Sequence, residues 1–197
     1  MQKMAQNTPS AHRPSLTRRG FILSAGAGMT AACARGTSSN ARYKIDSNVE
    51  FAIEQMKSEL PFTNDIAANA AGMLVMPKIT KAGFGVGGSY GEGALVIGGA
   101  SVDYYNLLSA SFGFQAGGQQ YSSVLFFMDS DHLQRFRERD GWTLGADLEY
   151  TLLDSGSGAA GINNNTAPRA VYAIVFNQAG LLVGASIGGS KYSRVVR

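Results

Sequence analysis

The chain has 197 residues, with 17 Lys and Arg, 14 Asp and Glu, two His and one Cys. Its formal charge of +3 resides in the leader: residues 1–32 carry Lys3, Arg13, Arg18 and Arg19 and no acid, which leaves 13 basic against 14 acidic residues in the remainder. That balance argues against a nucleic-acid partner, a single cysteine excludes a disulfide framework, and about 150 residues suffice for one domain with its own core.

The leader comes first. Thr17-Arg18-Arg19-Gly20-Phe21-Ile22-Leu23 opens a weakly apolar run to Met29, and Thr30-Ala31-Ala32-Cys33 follows. Adjacent arginines with Phe two residues on match the twin-arginine class of export signal. The run is too short to span a bilayer, which takes roughly 20 apolar residues. The small residues before Cys33 resemble a lipobox, in which the cysteine is acylated and becomes the new N-terminus; Thr30 stands where Leu is usual. Simple cleavage nearby, for example after Ala34, is the alternative and gives a soluble periplasmic protein. Acyl chains hold a protein on a membrane through burial of CH₂ groups, at ~0.8 kcal/mol each. Ala34, where an Asp would signal otherwise, favours the outer membrane by resemblance to lipoproteins. The expected organisation is a signal peptide over 1–32, a lipidated Cys33 with a flexible tether over 33–45, and one domain over 46–197.

Helical spacing of Val49, Ile53, Met56 and Leu60 predicts a helix over 46–60, capped by Asp46 or Ser47 and ended by Pro61. A short second helix is expected over about 63–71. Strands follow: Met73–Met76 stopped by Pro77, then Phe84 to Tyr90, a turn at Gly91-Glu92-Gly93, and Leu95–Ile97. Further strands are expected over 104–116, 121–128, 147–153, 171–177 and 181–187, with Asn177-Gln178-Ala179-Gly180 as a hairpin loop. A helix over about 130–139 starts at Asp129 or Ser130 and turns Leu133 and Phe136 inward. Ser155 to Ala167 reads as a mobile loop. Twelve of the 25 glycines lie in residues 72–118. Glycine packs nothing in a strand, so this density implies sharp coiling, bulges or close backbone approach. The fold class is therefore α+β: a glycine-rich, strongly curved antiparallel sheet, barrel-like or sandwich, with N-terminal helices and one further short helix.

Several catalytic motifs fail on context. Gly83-Phe84-Gly85-Val86-Gly87-Gly88 has the G-x-G-x-x-G form with Asp103 downstream, but it leads into another strand, with no helix N-terminus to meet a pyrophosphate. Gly184-Ala185-Ser186-Ile187-Gly188 has the G-x-S-x-G form, yet neither an acid nor a His follows it. Asp129 and Asp131 suit a hard cation, but a helix cap explains them more simply. Glu92, Asp147 and Glu149 have nothing in the sequence to bring them together as acid and base. No enzyme, metal or cofactor is expected.

Two basic groups remain. Lys78 and Lys81 flank the entrance to the glycine-rich strands, with Arg42 and Lys44 nearer the anchor. His132, Arg135 and Arg139 fall at i, i+3 and i+7 on one helix face. Either group can meet lipid phosphates; the second also reads as the polar side of an amphipathic helix.

Residues Met73-Leu74-Val75-Met76-Pro77-Lys78-Ile79-Thr80-Lys81-Ala82-Gly83-Phe84-Gly85-Val86-Gly87-Gly88-Ser89-Tyr90-Gly91-Glu92-Gly93 resemble the opening of the SYLF (Ysc84-type) lipid-binding domain. Its hallmark is an apolar strand, Pro, a lysine, then K-A-G-F-G-x-G-G-x-Y-G-x-G. Ser111 to Gln119 resembles the family's S-x-G-x-Q-x-G-x-Q, Val124 to Met128 its L-V-x-x-x-M, Leu144 to Asp147 its L-G-A-D, and Gly180 to Gly189 its closing G-L-F-x-G-x-S-x-x-G. The resemblance spans about residues 46–194. The family's G-W-x-x-P is replaced by Gly99-Ala100-Ser101-Val102-Asp103, so no contact is carried over from that loop.

The resemblance implies a module that binds anionic lipids, phosphoinositides in particular. In eukaryotes the family occurs in endocytic proteins that also bind actin filaments; in bacteria it often stands alone behind an export signal. Actin binding is not carried over, since its determinants match no residues here. The expected function is non-enzymatic binding of anionic phospholipid headgroups by an exported lipoprotein. Lys78 and Lys81 would contact the headgroup, Gly83, Gly85 and Gly87 would allow close approach, and Arg42 and Lys44 would assist. An envelope protein-interaction module and a carrier of lipid or another small apolar ligand are the alternatives.

Overall fold

The computed structural model describes residues 39–139, 141–153, 170–180 and 187–197. The expected signal peptide over 1–32, Cys33, the loop expected from Ser155 to Ala167 and the strand expected over 181–187, except Ile187, lie outside the described residues.

Helix α1 runs from Ser39 to Glu59. It begins well before the expected residue 46, so residues 39–45, read as tether, are its first turns. Ile45, Val49, Ala52 and Met56 recur at helical spacing and are buried, while Glu50, Glu54 and Lys57 face out. The helix closes with Leu60 N–H donating to Met56 O at 2.8 Å, just before Pro61. Helix α2, Thr63–Asn69, buries Thr63 and Ile66.

Two very long strands follow, β1 from Gly72 to Ile97 and β2 from Ala100 to Phe127. Five of the expected strands are segments of this one antiparallel hairpin. Pro77 does not end β1. The register slips between Met76 and Ile79, which absorbs the missing N–H, and Ser122 Oγ donates to the Pro77 carbonyl at 2.8 Å. The turn lies at Gly98-Gly99, with φ of +59° and +83°, and not at Gly91–Gly93. Two central residues with positive φ are what a two-residue type I′ loop demands.

The hairpin also folds back on itself. A Cβ on Gly93 would lie 2.0 Å from the Val75 carbonyl oxygen, and one on Gly83 would lie 2.4 Å from Gly87 Cα. The first contact shows the two halves of β1 crossing main chain to main chain. The second marks the sharp bend between them, beside another register slip at Gly83/Gly85. The glycines thus serve curvature and close approach, as their density implied.

Helix α3, Ser130–Glu138, is capped by Asp129, whose carboxylate accepts from His132 N–H at 2.7 Å. The short strands β3 (Trp142–Thr143) and β4 (Thr151–Leu153) precede β5 (Val171–Gly180) and β6 (Lys191–Val195). The described strands form one sheet in the order β3-β6-β2-β5-β4, with β1 also paired to β2. All ladders between these strands are antiparallel except β4–β5. Asn177 to Gly180 is not a hairpin loop. It continues β5 past a register slip opposite Gln120/Ser122, with Asn177 at φ +52°.

Away from the bend the curled sheet is buried on both faces. Its outer face packs Val75, Ala94, Val96, Tyr104, Val124 and Phe126 against α1 and α2. Its inner face packs Leu74, Met76, Leu95, Tyr105 and Phe127 around Phe136 and Trp142. Phe136 plugs the concave side, with ring centroids 4.9 Å from Phe127 and 5.0 Å from Tyr105. Trp142 Nε1 donates to the Phe136 carbonyl at 3.0 Å. Each fully buried Leu or Phe contributes about 1.5–3 kcal/mol, so the two layers carry the stability. The class is α+β with a half-barrel sheet.

Candidate functional site

The hollow that brings together two of the predicted cations, Lys44 and Lys78, lies where α1 meets both halves of β1. It measures about 300 Å³ and is lined by Lys44, Ile45 and Asn48 from α1, Pro77, Lys78 and Thr80 from the first half of β1, and Tyr90 to Glu92 from the second. Gly91 permits the closure: a Cβ there would meet Ile79 Cγ1 at 2.9 Å and the Lys78 carbonyl at 3.0 Å. Lys44 and Lys78 are exposed, and among the described residues neither has a carboxylate within ion-pair distance. The acid in the hollow, Glu92, is already engaged. It accepts from the Tyr90 hydroxyl and pairs with the Arg197 guanidinium. Burial, then the hydrogen bond to Glu92 and that residue's charge, push the Tyr90 hydroxyl up to about 12. Among the described residues the hollow therefore holds two ammonium groups without an ion-pair partner beside a neutralised carboxylate.

The remaining predicted residues are placed as follows. Lys81 lines a separate hollow of about 320 Å³ with Ala82, Gly118, Gln119, Gln120 and Ala179, next to the first through Thr80. Adjacency in sequence therefore does not put Lys78 and Lys81 in one site. Arg42 donates to a main-chain oxygen of Arg197, and its guanidinium lies 5.6 Å from the Tyr104 ring centroid. Tyr104 in turn donates to Asp46 at 3.0 Å. Gly83, Gly85 and Gly87 lie in β1 at the bend, paired with Gly117, Gly113 and Ser111. No helix opens after them, so the G-x-G-x-x-G spacing has no phosphate-binding geometry. The G-x-S-x-G segment lies outside the described residues except for its last two positions.

The second basic face is not one face. α3 ends at Glu138, and Arg139 turns away in extended conformation with its guanidinium 5.5 Å from the Trp142 ring centroid. His132 stays with Arg135. Its Nδ1 lies 2.8 Å from the Asp129 carboxylate and its Nε2 3.2 Å from the Arg135 guanidinium. Burial works to raise the Asp129 carboxyl, but hydrogen bonds from the His132 main chain and ring, with the nearby cations, bring it below the usual range. These groups form a capped helix start.

Sequence reasoning missed two features. Asp103, only 6 % exposed, bridges Arg137 Nε at 2.9 Å and Arg194 at 2.7 Å, joining β2, α3 and β6. The other is a groove of about 520 Å³ along α1. It is lined by Asp46, Glu50, Glu54 and one lysine, Lys57, together with Val49, Ile53, Met73 and Val96. The acids recur every four residues in the sequence, which is the one signal that was available.

Among the described residues no helix is long and apolar enough to cross a membrane. Residues 108–195 match the family model described as "Ysc84: Las17-binding protein actin regulator". A search of curated proteins finds no significant match. The matched segment runs from within β2 through β6; β1, with Lys78 and the glycine-rich bend, precedes it. The order of motifs from Ser111 to Gly189 and this match agree, and residues 108–195 are similar to the Ysc84 (SYLF) family.

Proposed function

We propose that this chain is a non-enzymatic module that binds anionic phospholipid headgroups in the hollow between α1 and β1. One observation carries the reading: Lys44 and Lys78, brought from distant parts of the chain, line one hollow without carboxylate partners, while Arg197 occupies Glu92. Two such ammonium groups favour a phosphate between them. A volume of about 300 Å³ sits at the small end of ligand sites, so it suits a headgroup and not the acyl chains a carrier would enclose. In this reading residues 1–32 direct export, Cys33 is acylated, and the domain is held at the outer membrane on its periplasmic side. Phosphoinositide-like headgroups fit the family resemblance.

A second reading is favoured by the acid-rich groove along α1 and by the family's description, which names binding of a protein. A cationic segment of an envelope protein would suit that groove. Actin itself is not proposed.

The test is sedimentation of the full chain carrying Cys33→Ala with vesicles of graded phosphatidylglycerol content at two salt concentrations. Binding should rise with anionic lipid and fall with salt. At about 1 kcal/mol per lysine near an anionic surface, Lys44→Gln with Lys78→Gln should weaken it roughly 30-fold. Binding indifferent to anionic lipid and to these lysines would sink the proposal.

A further inference from the structure

The outer face of the curled sheet changes character along its length. Near Ala94, Val96 and Tyr104 it is covered by α1. Toward the bend it is bare. Tyr90 pairs with Leu108 and Gly88 with Ala110, so these side chains share one face, and Val86 lies on it by the two-residue alternation of β1. Val86 is 63 % exposed, Leu108 51 % and Tyr90 48 %. Large apolar side chains clustered this way on an otherwise packed sheet mark a contact surface.

We infer that this bare face, built from Val86, Tyr90 and Leu108, inserts into the interfacial layer of an anionic bilayer. The inference rests on the headgroup-binding reading and deepens it by assigning the apolar half of the same contact. Three observations select a bilayer as the occupant. First, Tyr90 belongs to both the face and the hollow that holds Lys44 and Lys78, so the apolar and cationic surfaces are continuous. A layer of phosphates above hydrocarbon presents the complementary order. Second, a tyrosine at the junction, apolar in its ring and polar at its hydroxyl, is the side chain suited to the membrane–water boundary. Third, only five residues lie between Cys33 and Ser39, where α1 begins; extended, the six steps between them reach about 20 Å at most. Lys44 in the second turn of α1 lines the same hollow as Tyr90. An acylated Cys33 would therefore keep the start of α1, and Lys44 with it, close to the membrane.

The experiment uses the full chain with Cys33→Ala and vesicles of equimolar phosphatidylglycerol and phosphatidylcholine, with bromine placed on the acyl chains. Val86→Trp and Leu108→Trp each report insertion. Trp142 is buried and gives the background, and Gln134→Trp, on the exposed side of α3, gives the control. Fluorescence of the two reporters should shift to the blue and be quenched by bromine, while the control stays unquenched. Val86→Ser with Leu108→Ser should weaken sedimentation about twentyfold and leave the salt dependence in place. A chain that sediments with the vesicles but whose reporters stay unquenched overturns this inference and leaves headgroup binding standing. Failure of the parent chain to sediment removes both. Self-association abolished by the serine pair, with no quenching, would assign the face to a second copy and also overturn the inference.

Discussion

Gly93→Ala tests the crossing of the two halves of β1, the feature on which the whole curl depends. The new Cβ would sit 2.0 Å from the Val75 carbonyl oxygen and 2.7 Å from Met76 Sδ. A carbon meets a carbonyl oxygen at about 3.3 Å or more, so the crossing must open by more than 1 Å. It lies among Leu74, Val75, Met76 and Leu95, all wholly buried, and a gap of about 0.5–1 Å already forfeits a quarter to a half of each contact there. Overpacking costs about 1–3 kcal/mol when side chains yield, and main chain yields less, so the expected loss is about 3 kcal/mol or more. Two controls grade the effect. Gly98→Ala meets nothing within 4 Å but must hold φ at +59°, at about 1–2 kcal/mol. Gly118→Ala meets the Lys81 carbonyl at an ordinary 3.8 Å and should stay within about 0.5 kcal/mol of the parent. Urea denaturation followed by circular dichroism gives all three values. If Gly93→Ala proves as stable as Gly118→Ala, the halves of β1 do not cross there.

Three further outcomes follow from the polar contacts. Asp103→Ala removes two charge-assisted bonds from the half-exposed Arg137 and Arg194 and should cost about 2 kcal/mol in urea melts; a change under about 0.5 kcal/mol would show that the clasp is idle. Asp129→Ala should cost about 1 kcal/mol at neutral pH through loss of the α3 cap. Because folding lowers the Asp129 carboxyl, its contribution is complete above the ordinary carboxylate range and disappears as pH falls through the lowered value. Parent and variant melts should therefore converge in acid, and a difference that persists there would refute the assignment. Glu92→Gln removes the carboxylate from the hollow and should tighten anionic-vesicle binding about fivefold, whereas Arg197→Gln frees Glu92 and should weaken it by a similar factor; a change in the same direction for both would count against the charge balance described.

What was legible in the sequence was local. Asp129 as a cap and Leu133 and Phe136 as the buried side of α3 depend on residues within one or two turns, and the structure places them as expected. The stripe of α1 was found for the same reason, although its start was not: residues 39–45 look like a linker by composition, and Ile45 is held helical by packing against the sheet. Pro77 and Gly91–Gly93 were misplaced because both are ordinary stop signals. Here the proline is absorbed by a register slip, and the glycines mark where another stretch of main chain passes. Nothing within a window of ten residues carries that information. The Asp103 clasp shows the same limit, since Arg137 lies 34 residues away and Arg194 much farther.

The candidate site depends on the same non-local geometry. Lys78 and Glu92 lie on one strand, fourteen positions apart, a distance of about 46 Å if that strand ran straight. They line one hollow because β1 bends at Gly83–Gly87 and returns across itself. The glycines expected to touch a headgroup therefore also have a structural role in this fold. They bring Lys78 back beside α1 and Lys44, which has no ion-pair partner among the described residues, and they turn the bare face of Val86, Tyr90 and Leu108 toward the same side. Curvature is what converts a run of strand residues into a surface with a cationic half and an apolar half. A substitution that stiffens the bend should dismantle both halves together, even where it leaves every charge in place.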